Sequence, residues 1–208
     1  MFAIFLKVFA AYLLGSVNGS LALGRLRHFD IRSEGSGNAG GTNALRTHGK
    51  FFAFGVVLID VLKSVIAVAW LPHVGPAPGD ALPWLQVACG AAAVVGHCYP
   101  AFFGFRGGKG MATLLGAYAI LAPVVLLIVV LAWMLTLAIS GYVGFATMTG
   151  AVAAPVFLAT TGSGIDSPLL LFSLLMALFI VYTHRSNISR MRDGTESRIA
   201  RALLSRRH

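Results

Sequence analysis

Apolar runs long enough to cross a bilayer alternate with short polar breaks along nearly all of this 208-residue chain. They run from about Phe2 to Gly24, Phe51 to Leu71, Leu82 to Phe103 and Pro168 to Thr183. Each predicts a helix, because a segment in lipid must satisfy its own backbone N–H and C=O groups. No residue from Met111 to Ile165 is charged. At about 1.5 Å per residue that stretch makes roughly 80 Å of helix, far more than one bilayer thickness. Turn signals at Pro123 and at Ser140-Gly141 divide it.

Charge then sets the orientation. Of the 16 basic residues, all but Lys7 and Lys63 fall in three places: Arg25 to Lys50, Arg106 and Lys109, and the tail from Arg185 to Arg207. Positive charge marks the cytoplasmic side. If Arg106 and the tail are both inside and the last run crosses once, the stretch from Met111 to Gly162 crosses an odd number of times, and one crossing would strand some thirty apolar residues. The expectation is an all-α integral membrane protein, one domain over residues 1–208. It is a compact bundle of seven short transmembrane helices, N-terminus outside and C-terminus cytoplasmic. Five spans, with part of that stretch re-entrant or interfacial, is the alternative. The first run continues past Leu23 without a cleavage pattern, so no signal peptide is expected.

Composition agrees: 57% of residues are apolar and 11% charged, where a soluble domain carries about 25% charge. The net charge of +9 would suggest nucleic acid in a soluble protein. Here the cations gather at span ends, and no nucleic-acid partner is expected. Cys89 and Cys98 share one apolar segment and suggest neither a disulfide framework nor a metal site; Cys98 beside His97 is a weak candidate ligand pair.

The three basic regions also hold the chain's concentrated Gly, Ser, Asn and His, which makes them candidate parts of one site. The first reads Gly35-Ser36-Gly37-Asn38-Ala39-Gly40-Gly41-Thr42-Asn43, followed by Arg46. Glycines let backbone N–H groups approach an anion, hydroxyls add donors, and Arg offers a bidentate fork to phosphate. The GxGxxG spacing lacks the strand that a dinucleotide fold requires. A plain flexible loop is the bland reading. The second region reads Gly96-His97-Cys98-Tyr99-Pro100, then Phe105-Arg106-Gly107-Gly108-Lys109-Gly110. It is no nucleotide P-loop, since Gly110 stands where Ser or Thr would hold magnesium. It still opens a helix with backbone donors and a Lys charge. Its bland reading is a positive-inside anchor with a structural His97. In the third region, His184 and Asn187 share a helix face at i and i+3. Asp60 and Lys63, three apart inside the second span, pair structurally or line a polar cavity.

In order and spacing, GSGNAGGTN with Arg46, GHCYPAFFGFRGGKG and HRSNISR with Glu196 resemble the three cytoplasmic motifs of the bacterial acyl-phosphate:glycerol-3-phosphate acyltransferases. The resemblance spans nearly the whole chain. It implies transfer of the acyl group of a fatty acyl phosphate to the 1-hydroxyl of glycerol 3-phosphate, giving lysophosphatidic acid and phosphate in phospholipid synthesis. It implies a multi-pass protein of the bacterial inner membrane with its site facing the cytoplasm. Membrane lipid and the enzyme that supplies acyl phosphate are the expected partners, and a monomer the expected state.

By position, the resemblance makes Ser36, Arg46, His184 and Asn187 the catalytic set. Gly37, Asn38, Thr42 and Asn43 with Gly107, Gly108, Lys109 and Gly110 become the substrate phosphate-binding residues, the second four for glycerol 3-phosphate. Glu196 becomes structural support, a role that Asp60, Lys63 and His97 take from their own placement in the spans. Two departures stand out. Gly144 occupies a place where a Ser is common, and Arg106 one where Lys is common. An acyl phosphate is already activated, so neither a cofactor nor a metal is expected, and the work is positioning and charge stabilisation. No GxSxG elbow and no HxxxxD pattern occurs. Rival readings are a transporter of phosphate or an organic anion, and an enzyme that hydrolyses a lipid phosphate.

Overall fold

The computed structural model describes residues 1–75, 79–162, 164 and 166–198, and no strand occurs among them. The basic stretch expected beyond Arg198 lies outside the described residues. The helices are α1 (Phe2–Gly15), α2 (Gly19–Leu26), α3 (Gly41–Ala69), α4 (Leu82–Cys98), α5 (Met111–Leu121), α6 (Pro123–Ser140), α7 (Val143–Thr160), α8 (Pro168–Thr183) and α9 (Arg185–Arg192). Two compact units divide the chain between Ala122 and Pro123.

In the first unit α1 packs on α4 and α3 on α5. Small residues let these backbones touch. A Cβ on Gly15 would meet the backbone of Ala93, one on Gly96 the carbonyl of Tyr12, and one on Gly116 the carbonyl of Val61. Lipid tails are as apolar as leucine, so such close van der Waals contact, rather than hydrophobic burial, holds helices together in a membrane. The first apolar run is not one straight span: α1 and α2 meet at 52°. Asn18 causes the restart, its backbone extended and its Oδ1 accepting the Ser20 and Leu21 N–H groups at 3.1 and 3.2 Å.

The second run also differs from expectation. Its helix begins at Gly41, ten residues early, so Thr42, Asn43 and Arg46 sit on α3 and not in a loop. Hydropathy marked the polar turns as loop because a helix end in water carries no apolar signal. Gly49, at φ 81° and ψ −177°, breaks α3 between its polar start and its apolar length.

In the second unit α7 packs on both α6 and α8, and α9 turns from α8 by 51°. The uncharged stretch holds three helices with breaks at Ala122 and Gly141. Its first, α5, has 11 residues, or about 16 Å. Among the described residues Gly41–His73, Gly79–Phe103, Pro123–Ser140 and Val143–Thr160 are each long and apolar enough to cross a membrane. The bent pairs α1 with α2 and α8 with α9 bring the number to six.

Candidate active site

The first glycine segment is shaped from within. Gly35 and Gly37 take the left-handed region at φ 56° and 70°, which costs a side-chain-bearing residue about 1 kcal/mol or more. Asn43, on the first turn of α3, is 1% exposed. Its Oδ1 accepts the Ser36 N–H at 2.9 Å and its Nδ2 donates to the Glu34 and Ile31 carbonyls at 3.0 and 3.3 Å. Both of its amide protons are engaged by the segment's own backbone, so Asn43 shapes the loop. Gly35, Ser36, Gly37 and Thr42 are exposed, with Asn38 and Arg46 half-buried. No side chain caps the N-terminus of α3.

The second segment is also held by its own backbone. Gly107 N–H donates to the Cys98 carbonyl at 3.0 Å and Gly108 N–H to that of His97 at 3.2 Å. Both glycines permit close approach: a Cβ on Gly107 would meet the His97 carbonyl and one on Gly108 the His97 imidazole. Gly110, at φ 94°, ends the turn and opens α5, again with no side-chain cap, beside half-buried Lys109. Arg32 fastens this turn, donating through Nη1 to the carbonyls of Phe103 and Arg106 at 2.8 and 3.0 Å. Its Nη2 lies 2.7 Å from Asp30. Hydrogen bonds from Arg32 hold the Asp30 carboxyl below its ordinary range, and Asp30 pushes the guanidinium up.

Beneath both segments lies a buried polar cluster. Asp60 Oδ1 accepts from Lys63 Nζ and the Gly19 N–H at 3.0 Å each and lies 3.2 Å from His97 Nδ1. Lys63 also donates to the Val17 carbonyl. Asn18, fully buried, donates to the Ala39 carbonyl at 3.1 Å and the His97 carbonyl at 3.4 Å, so one side chain joins both glycine segments. Sequence reading missed it. A single Asn in an apolar run gives no periodic signal, although Asn ahead of a second helical pattern is a cap signature.

The second unit carries the third segment. His184 stands between α8 and α9 with Nδ1 2.8 Å from the Ile180 carbonyl. A carbonyl accepts only, so Nδ1 bears the proton of the neutral ring. Asn187 Nδ2 donates to Glu196 Oε1 at 2.7 Å, and Arg190 Nε to Glu196 Oε2 at 2.6 Å. Glu196, 9% exposed, ties the chain after α9 back to that helix. Gly144 gains a meaning here: a Cβ on it would sit 2.7 to 2.8 Å from the Asn187 side chain. The amide occupies the room that a larger residue would need.

The first unit thus holds two glycine-lined helix starts, each with a cation beside it, and the second unit a His-Asn-Glu group. The profile of the family "glycerol-3-phosphate acyltransferase" matches residues 5–194. A glycerol-3-phosphate acyltransferase of Pelodictyon phaeoclathratiforme is 41% identical over 91% of this chain and 93% of its own. That of Chlorobium limicola is 40% identical over the same shares. Crystal structures of PlsY (YgiH), an integral membrane glycerol 3-phosphate acyltransferase, are similar at a TM-score of 0.82 and 35% identity. They comprise a glycerol 3-phosphate form, in which 94% of this chain and 95% of that one are covered, and a lysophosphatidic acid form, with 94% of each. With that agreement in sequence and in helical architecture, the chain belongs to the glycerol-3-phosphate acyltransferase family of integral membrane enzymes.

Proposed function

We propose that the acyl donor is a fatty acyl phosphate and that the chain transfers its acyl group to the 1-hydroxyl of sn-glycerol 3-phosphate, at the cytoplasmic face of a bacterial inner membrane. The observation that carries this reading is the pair of uncapped helix starts, α3 with Arg46 and α5 with Lys109, in one unit. A helix N-terminus with a nearby cation favours an anion. Two such places suit a reaction in which both substrates carry phosphate.

Ser36, Gly37, Asn38, Thr42 and Arg46 bind one phosphate, and Lys109 with Gly110 that of glycerol 3-phosphate. Asn43, Gly107 and Gly108 hold the shapes of those segments. The glycerol hydroxyl oxygen attacks the acyl carbon, the bond from that carbon to the phosphate oxygen breaks, and inorganic phosphate leaves. The hydroxyl proton passes to the Nε2 of His184 or to a substrate phosphate oxygen. Asn187 orients a phosphate oxygen, and Glu196 orients Asn187. Because the donor is a mixed anhydride, Ser36 acts as a hydrogen-bond donor and no acyl-enzyme forms. The chain works as one catalytic domain and as a monomer, supplied by the enzyme that makes acyl phosphate. Its topology is seven crossings with the N-terminus outside, α5, α6 and α7 each crossing once.

Purified protein in detergent tests the donor. Palmitoyl phosphate with labelled glycerol 3-phosphate should give labelled lysophosphatidic acid, and palmitoyl-CoA should give none. Product from the thioester at a comparable rate would refute the donor assignment, and phosphate release without lipid product would refute the transfer itself.

A further inference from the structure

A cavity of about 430 Å³ opens at the C-terminal end of α2, among Leu21, Arg25, His28, Phe29, Arg32 and Phe103. None of these residues is assigned to a substrate phosphate. The floor is apolar, with Leu21 buried and Phe29 and Phe103 half-buried, and the rim is cationic. Asp30 also lines it, but accepts from Arg32 Nε and Nη2 at 2.7 to 3.1 Å, so the charges of that pair cancel. Arg25 is the charge that remains. Among the described residues it enters no ion pair, and its guanidinium lies 5.7 Å from the centre of the Phe103 ring.

The backbone at the rim is strained in favour of a side chain. At the end of α2 the Phe29 N–H donates to the Gly24 carbonyl at 3.0 Å and the His28 N–H to that of Arg25 at 3.3 Å. These bonds satisfy the last carbonyls of the helix without help from Arg25, and they put residue 28 in the left-handed region, where glycine ordinarily stands. Here it is an exposed histidine, at φ 60°. Such a residue persists where its side chain does what glycine cannot, and the His28 side chain lines the same cavity as that of Arg25.

The surroundings face lipid. Phe29 packs on Phe52 of α3, ring centroids 5.4 Å apart, and Phe51 and Phe54 beside it are 84% and 68% exposed. Phe102 and Phe105, on either side of Phe103, are exposed as well. Aromatic rings interleaved with Arg27, Lys50 and Arg106 have the composition of a membrane–water boundary. The unpaired Arg25 calls for an anion, and the exposed rings for one that carries acyl chains.

We infer that this cavity binds the headgroup phosphate of an anionic phospholipid of the bilayer, held by Arg25 and His28, with the acyl chains along the exposed rings.

Intact-protein mass spectrometry of the delipidated full chain, in detergent with dioleoyl phosphatidylglycerol or dioleoyl phosphatidylcholine, counts the lipids retained. One phosphatidylglycerol should bind in a saturable step, and the zwitterionic lipid several-fold more weakly. Equal retention of the two overturns the inference. Arg25→Ala should weaken the phosphatidylglycerol step about tenfold, the equivalent of one charge-assisted hydrogen bond. Arg27→Ala, which removes the cation over Phe52 and outside the cavity, should weaken it much less. The same loss in both variants would mean diffuse surface charge and no site. His28→Gly separates binding from structure: glycine relaxes the left-handed backbone, so the thermal midpoint in lipid-free detergent should hold or rise while lipid retention falls. Unchanged retention in His28→Gly refutes the role of its side chain. Displacement of phosphatidylglycerol by inorganic phosphate at equal ionic strength would identify a site for free anions and overturn the lipid assignment. Should Arg25→Ala fail to fold, the two lipids on the wild-type chain and His28→Gly still decide.

Discussion

At the scale of single residues, the polar groups of the glycine segments divide into those bound to main-chain carbonyls and those that stand at helix starts. Asn43, Gly107 and Gly108 have their donors engaged by main-chain carbonyls, while Lys109 and Arg46 stand at the helix starts. On the proposed assignment of Lys109 to the phosphate of glycerol 3-phosphate, a group that does not react, Lys109→Ala should raise the KM for glycerol 3-phosphate on the order of tenfold with kcat less affected. Steady-state kinetics with saturating donor would show this, and an unchanged KM would be incompatible with the assignment. The sequence marks the glycine segments with Arg46, and the stretch from His184 to Glu196, as candidates because they are dense polar groups in an apolar chain. It does not mark Asn18 and Arg32. One is an isolated amide in a span, the other a cation among several, and their importance lies in carbonyls 21 to 79 residues away.

Among elements, the breaks at Pro123 and Ser140-Gly141 were legible because Pro and Gly act locally. The bend at Asn18 and the early start of α3 were not, because hydropathy measures affinity for lipid and says little about helix in water. Gly49 makes the distinction physical. Its φ of 81° lies where a side chain is strained, yet a Cβ there would meet nothing within 4 Å. Gly49→Ala should consequently destabilise the protein by about 1 kcal/mol through backbone conformation alone. The check is thermal unfolding in detergent. An unshifted midpoint would mean that α3 straightens at no cost.

For the whole molecule, the three cationic regions separated by apolar helices carry a topological forecast. A reporter fused after His208 should be cytoplasmic and a tag before Met1 external. Single cysteines near Pro123 and near Gly141, in a background lacking Cys89 and Cys98, should label from opposite faces if α6 crosses the membrane. Labelling from one face would favour five crossings.

The glycine contacts between α1 and α4 bear on how the enzyme tolerates its solvent. With the carbonyl of Ala93 where a Gly15 side chain would stand, and that of Tyr12 against Gly96, these helices cannot slide along or roll over one another without backbone collision. Asn18 follows one of them and His97 ends the other, so the groups that fix the glycine segments are mounted on an incompressible spacer. A bilayer thinner or thicker than the apolar length then has to adapt around the protein, by tilt or by local deformation of the lipid, at a fraction of a kcal/mol per Å of mismatch. In vesicles of lipids with shorter or longer tails, the affinity for glycerol 3-phosphate should accordingly stay constant, and any change in rate should reflect the supply of the amphiphilic donor from the membrane.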